Sequence, residues 1–77
     1  MLKKIKEEAW SFTLYEDGNQ KFLSVLCGTS AMYETVIELN KEEIVEISMG
    51  NIKELSANIR ENKSLYESRK ILDFKHP

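Results

Sequence analysis

The sequence holds one cysteine, one histidine, one proline and three glycines, and each scarcity removes a class of protein. A single thiol forms no intrachain disulfide, so the core is not stapled in the manner of small secreted domains. Cys27 and His76 alone fall short of a dedicated zinc site. The low glycine and proline content argues against low-complexity or linker sequence. No apolar run approaches the roughly 20 residues that span a bilayer. Met1-Leu2-Lys3-Lys4 leads into more charge rather than into the apolar core of a signal peptide. The compartment expected on these grounds is the cytoplasm, without membrane association. Charge of one sign does not dominate either: 11 Lys and Arg stand against 13 Asp and Glu, so nucleic acid finds no global attraction.

What remains is the composition of a globular protein, 42% hydrophobic and 31% charged over 77 residues. We expect a single small α+β domain over residues 1–77, with residues 1–6 and 75–77 loosely ordered. A chain of this length buries only about 60% of the surface its unfolded form exposes, so association with another chain would add to a modest stability. Charge is uneven along the chain. Residues 34–61 carry seven glutamates against Lys41, Lys53 and Arg60, which reads as a solvated helix face or as a docking surface for a basic partner.

The fold is organised around residues 21–39, KFLSVLCGTSAMYETVIEL. Phe22 to Cys27 reads as a strand, Gly28-Thr29-Ser30-Ala31 as a turn, and Met32 to Leu39 as an alternating, half-buried strand. Upstream, Trp10, Phe12 and Leu14 alternate with Ser11, Thr13 and Tyr15, again a strand pattern. A two-residue turn over Asp17-Gly18 pairs Phe12 with Leu23 and Trp10 with Val25, placing large apolar residues on one face. A three-residue loop over Thr29-Ser30-Ala31 pairs Leu23 with Ile37, Val25 with Thr35 and Cys27 with Tyr33. A loop longer by one residue would bring Glu34 onto the apolar face, at a cost of several kcal/mol if buried. The expectation is a three-stranded antiparallel β-meander, about 8–16, 19–27 and 32–39. Its core face is Trp10, Phe12, Leu14, Leu23, Val25, Cys27, Tyr33, Thr35, Ile37 and Leu39.

Three strands do not bury such a face alone, so C-terminal helices must cover it. Asn40 with Glu43 makes a capping box ahead of Ile44, Val45 and Ile47. Gly50 is a left-handed stop and Asn51 a second cap. The spacing predicts helices over 41–48 and 52–62, or one continuous helix kinked at Gly50. Ser64 with Glu67 offers a third capping box, and Ile71, Leu72 and Phe74 are expected to pin the tail to the body.

No catalytic set can be assembled from these residues. Cys27 has no histidine placed to ionise it, and Ser30 and Thr29 have no base; a buried structural thiol is the expected role. Cys27-Gly28-Thr29-Ser30 leads into a strand, not into the helix N-terminus that a phosphate site wants. No cofactor or metal is expected. Lys21 with Tyr15 and Phe22 is a faint aromatic-basic surface for nucleic acid, opposed by Glu34 and Glu38 on the same face. By parity Tyr15, Phe22, Leu26 and Val36 share the back face of the sheet, ringed by polar residues, as a solvated face or an interface would be. These four are the candidate interface residues of a non-enzymatic protein–protein interaction module. It would bind another protein chain or a second copy of itself, and a specific version is an inhibitor or immunity-type binder. The alternative is a small-molecule-sensing domain with its ligand between sheet and helices near Tyr33 and Cys27.

Overall fold

The computed structural model describes residues 2–28 and 33–75, and they form an α+β domain built on a four-stranded antiparallel meander. Strands β1 (Lys3–Glu8), β2 (Phe12–Asp17), β3 (Gln20–Cys27) and β4 (Tyr33–Glu38) lie side by side in chain order. Helices α1 (Lys41–Ser48), α2 (Ile52–Glu61) and α3 (Lys63–Tyr66) follow, and a 3-10 turn over Glu67–Arg69 completes the ordered elements.

The sheet differs from the expectation in three ways. It has four strands, because Lys3–Glu8 pairs with β2 instead of lying loose. β1 is an edge strand whose only large apolar residue is Ile5, itself half in water at 51%. Such a strand buries no face, so it shows no hydrophobic alternation; charges and the bulge between Lys4 and Lys6 are what edges carry. Second, β2 begins at Phe12, not near residue 8. The chain turns over residues 9–11, where Trp10 adopts φ +64° and is 81% exposed, so Trp10 leaves the core list. Third, the β2–β3 register is displaced by two residues: Phe12 faces Val25 and Leu14 faces Leu23. The turn sits on Gly18-Asn19, with Gly18 at φ +61° in its first central position. That is the type II′ pattern, and it spares Asp17 the positive φ a type I′ turn would impose. An even displacement keeps every side chain on its face, so the core survives the change.

The β3–β4 register is the expected one, with Leu23–Ile37, Val25–Thr35 and Cys27–Tyr33 as partners; the loop Thr29-Ser30-Ala31 and Met32 lie outside the described residues. The front face packs Phe12, Leu14, Leu23, Val25, Cys27 and Ile37 against Ile52, Leu55 and Ile59 of α2, with Ile44 and Ile47 of α1 at the margin. Tyr33, expected in this core, is 38% exposed at the end of β4.

Two helices form over 41–62, not one kinked helix. The capping box is complete: the Glu43 amide donates to Asn40 Oδ1 and the Asn40 amide to Glu43 Oε1, both at 2.9 Å. Gly50 takes φ +90° and stops α1. Asn51 does not cap α2 with its side chain, which reaches back to Glu46 Oε2 at 2.8 Å. Ser64 caps nothing either, because α3 already begins at Lys63.

Candidate functional site

The four residues Tyr15, Phe22, Leu26 and Val36 do share the back face, as the pairings Tyr15–Phe22, Ser24–Val36 and Leu26–Glu34 require. Their surroundings divide that face in two. Tyr15 and Val36 are 6% and 3% exposed, and the cover comes from the chain's own C-terminal segment. Phe74 lays its ring 5.1 Å from that of Tyr15 and 5.7 Å from that of Phe22, tilted by 55° and 53°. Both separations lie within the range at which aromatic rings attract one another, in a tilted arrangement between stacked and edge-to-face.

The route of that segment explains why it stays in place. Arg69 grips the start of α1 through two donors to the Glu43 carboxylate, at 2.9 and 2.6 Å, and donates to the Glu38 carbonyl at 2.8 Å. Lys70 then bridges Ile37 in antiparallel fashion, and the Ile71 amide donates to the Val36 carbonyl at 2.8 Å. The Lys70 ammonium lies 5.6 Å from the centre of the Tyr33 ring. Residues 70–71 therefore add a stub of strand to the free edge of β4, and the chain rounds that edge to deliver Phe74 to the back face. Of the residues expected to pin the tail, Phe74 does so by its ring and Ile71 by its amide; Leu72 is 86% exposed.

The other half of the face is open. Leu26, Ser24, Glu7, Glu8, Glu34 and Trp10 are among the residues that line a cleft of about 140 Å³. Ser24 Oγ hydrogen-bonds the Glu34 carboxylate, and Lys4 pairs with Glu7 at 3.2 Å. The turn that raises Trp10 is fixed from the helix side. Arg60 of α2 donates from Nε to the Leu26 carbonyl at 3.1 Å and from Nη2 to the Ser11 carbonyl and hydroxyl at 3.4 Å. The Ser11 carbonyl also accepts from the Leu26 amide at 2.9 Å. Burial raises the Tyr15 phenol above its ordinary range; Glu34 and Glu7 push the same way, while Lys4 and a hydrogen bond with Thr13 oppose them.

Cys27 lies on the opposite, helix-covered face, 1% exposed, with its thiol 3.6 Å from the Val25 carbonyl and the Thr35 hydroxyl. Among the described residues no cluster of His, Cys, Asp and Glu side chains is placed to hold a metal ion, and no helix is long and apolar enough to cross a membrane. Trp10 and Phe74 are the residues of this face that the sequence pattern did not assign to it. Trp10 fitted a strand pattern, and Phe74 carried no signal for which face it would reach. The chain matches no family model, no curated protein and no solved structure, so the functional reading rests on its own residues.

Proposed function

We propose that this chain is a non-enzymatic protein-interaction module that binds another protein through the back face of its sheet. The observation that carries the reading is Trp10. A tryptophan 81% exposed, on a turn with positive φ, at an open cleft that Leu26 also lines, has no part in the core. Tryptophan is enriched among interface residues that dominate binding energy, and backbone held in a sparsely populated region clusters at functional sites. Arg60 holds the turn from behind, so the backbone that carries the indole is set in advance of binding, which lowers the ordering cost. The burial of Cys27 away from any base supports a role without covalent chemistry. Partners include a second copy of the chain, and an inhibitor or immunity-type role is the specific version to examine first.

The test is partner capture from the native host with the full chain immobilised, alongside sedimentation of the free chain over a wide concentration range. Trp10→Ala and Leu26→Asp should each abolish capture or self-association while far-UV circular dichroism stays unchanged. Complexes that persist through both substitutions would place the contact elsewhere and refute the reading.

A further inference from the structure

The segment of residues 69–75 is bound to the body in the way a peptide ligand binds a sheet edge. It contributes a main-chain donor to the Val36 carbonyl, a bridge to Ile37, an aromatic ring to the Tyr15–Phe22 seat and a guanidinium to Glu43. Main-chain hydrogen bonds from an added strand supply affinity, and side-chain seats on alternate positions supply specificity; this is the β-addition mode of peptide recognition. The contacts also define what fits. The edge runs between Glu34 and Glu38 of β4, with Glu43 beyond, and the segment that lies along it brings Arg69 and Lys70. Three positions after the main-chain contact of Ile71 comes the aromatic ring, Phe74.

We propose that the β4 edge together with the Tyr15–Phe22 seat is a β-addition site for a partner segment that is extended, basic at its start and aromatic three residues after its main-chain contact. Residues 69–75 fill it in cis. Along the edge itself the cis segment is short: its main-chain pairing is the Lys70–Ile37 bridge with the Ile71 amide on the Val36 carbonyl, and Leu72 already stands in water. A partner strand that pairs along the whole of Tyr33–Glu38 replaces those contacts and adds more. The inference rests on the back-face reading and names the chemistry of the partner for the strap half of that face.

The probe is a synthetic peptide copying residues 69–75, titrated to millimolar concentration into the full-length chain and followed by amide chemical shifts. Two full-length hosts are compared: wild type, and Phe74→Ala, in which the cis segment is loosened. The peptide should shift β4 resonances, and should bind Phe74→Ala at least about tenfold more tightly than wild type, whose own strap competes at high effective concentration. Replacing the peptide's phenylalanine by alanine, or its Arg-Lys pair by Glu-Glu, should each weaken binding about tenfold or more. Ile71→Pro, which removes the donor to Val36, is a second loosened host beside Phe74→Ala and should behave as it does. No saturable shift in either folded host, or equal binding of the alanine peptide, overturns the proposal. Unfolding of both loosened variants, Phe74→Ala and Ile71→Pro, also overturns it, since the segment is then an integral strand rather than a replaceable one. If partner capture depends on Trp10 yet is indifferent to the strap substitutions, the interaction module stands and the β-addition site falls.

Discussion

Replacing Trp10 by glycine should leave the protein about as stable as it was, an outcome opposite to that for a core tryptophan. The magnitude follows from the local structure. With 81% of its surface in water, the side chain buries about a fifth of roughly 250 Å², some 50 Å², worth ~1 kcal/mol at ~25 cal/mol per Å². Against that loss stands the strain of a β-carbon at φ +64°, about 1–2 kcal/mol, which glycine relieves. Glycine's extra freedom in the unfolded chain returns ~0.5–1 kcal/mol of the cost. The sum lies within about 1 kcal/mol of zero, whereas emptying a core tryptophan costs about 3–5 kcal/mol. Urea unfolding followed by far-UV circular dichroism measures it, because the chain has only one tryptophan and the variant has none. Trp10→Ala gives the control: it loses the same contact but keeps the strain, so the glycine variant should be the more stable of the two. A loss above about 3 kcal/mol for glycine, or an alanine variant more stable than glycine, would refute the turn geometry. Emission from the wild-type indole should also resemble that of a solvated indole.

Two further perturbations address the strap anchor and the thiol. Burial raises the Glu43 carboxyl, but hydrogen bonds from Arg69 and the Asn40 amide, with the Arg69 charge, outweigh it and hold the group below the ordinary glutamate range. A carboxyl depressed on folding contributes stability above its unfolded value and loses it as pH falls through the folded one. Glu43→Gln, which can still serve the capping box, should therefore cost about 1–3 kcal/mol at pH 7, with the difference from wild type shrinking once the pH drops below ordinary carboxylate values; a gap unchanged by acid would refute the pairing. Cys27, 1% exposed, should react with a thiol reagent only as fast as the protein opens, and fast labelling of the native state would return a thiol enzyme to consideration.

What the sequence made legible was whatever two faces with unequal solvent exposure write into it. The β3–β4 register could be read because a slip would bury Glu34, and α1 because Asn40 and Glu43 spell a capping box. β1 was not legible, since a strand with both faces in water carries no period-2 signal, and Lys3, Lys4, Lys6, Glu7 and Glu8 look like a disordered lead-in. Trp10 was misread for the converse reason: two residues before Phe12, it satisfies the period while the backbone has already turned away. The shared face of Tyr15, Phe22, Leu26 and Val36 followed from parity alone. The cover on half of it did not, because one phenylalanine in a polar tail has no periodicity to declare which side of the sheet it will reach.

The two sheet edges explain why the strap matters more than its length suggests. An exposed edge offers unpaired main-chain groups to any passing strand, and proteins blunt such edges with charge, bulges or cover. β1 uses the first two: its side chains are almost all charged, and the bulge between Lys4 and Lys6 interrupts its ladder. β4 carries charge at Glu34 and Glu38 but no bulge. Its central residues Thr35, Val36 and Ile37 are buried, its register is unbroken, and the guard along its outer side comes from Lys70 and Ile71. A bulge is built into its strand, whereas the cover on β4 is a separate segment held by Arg69, Ile71 and Phe74. On the β-addition proposal a partner would therefore enter this sheet at β4 rather than at β1. Displacing the strap would also withdraw Phe74 from Tyr15 and Phe22, so the edge and the aromatic seat would become available together.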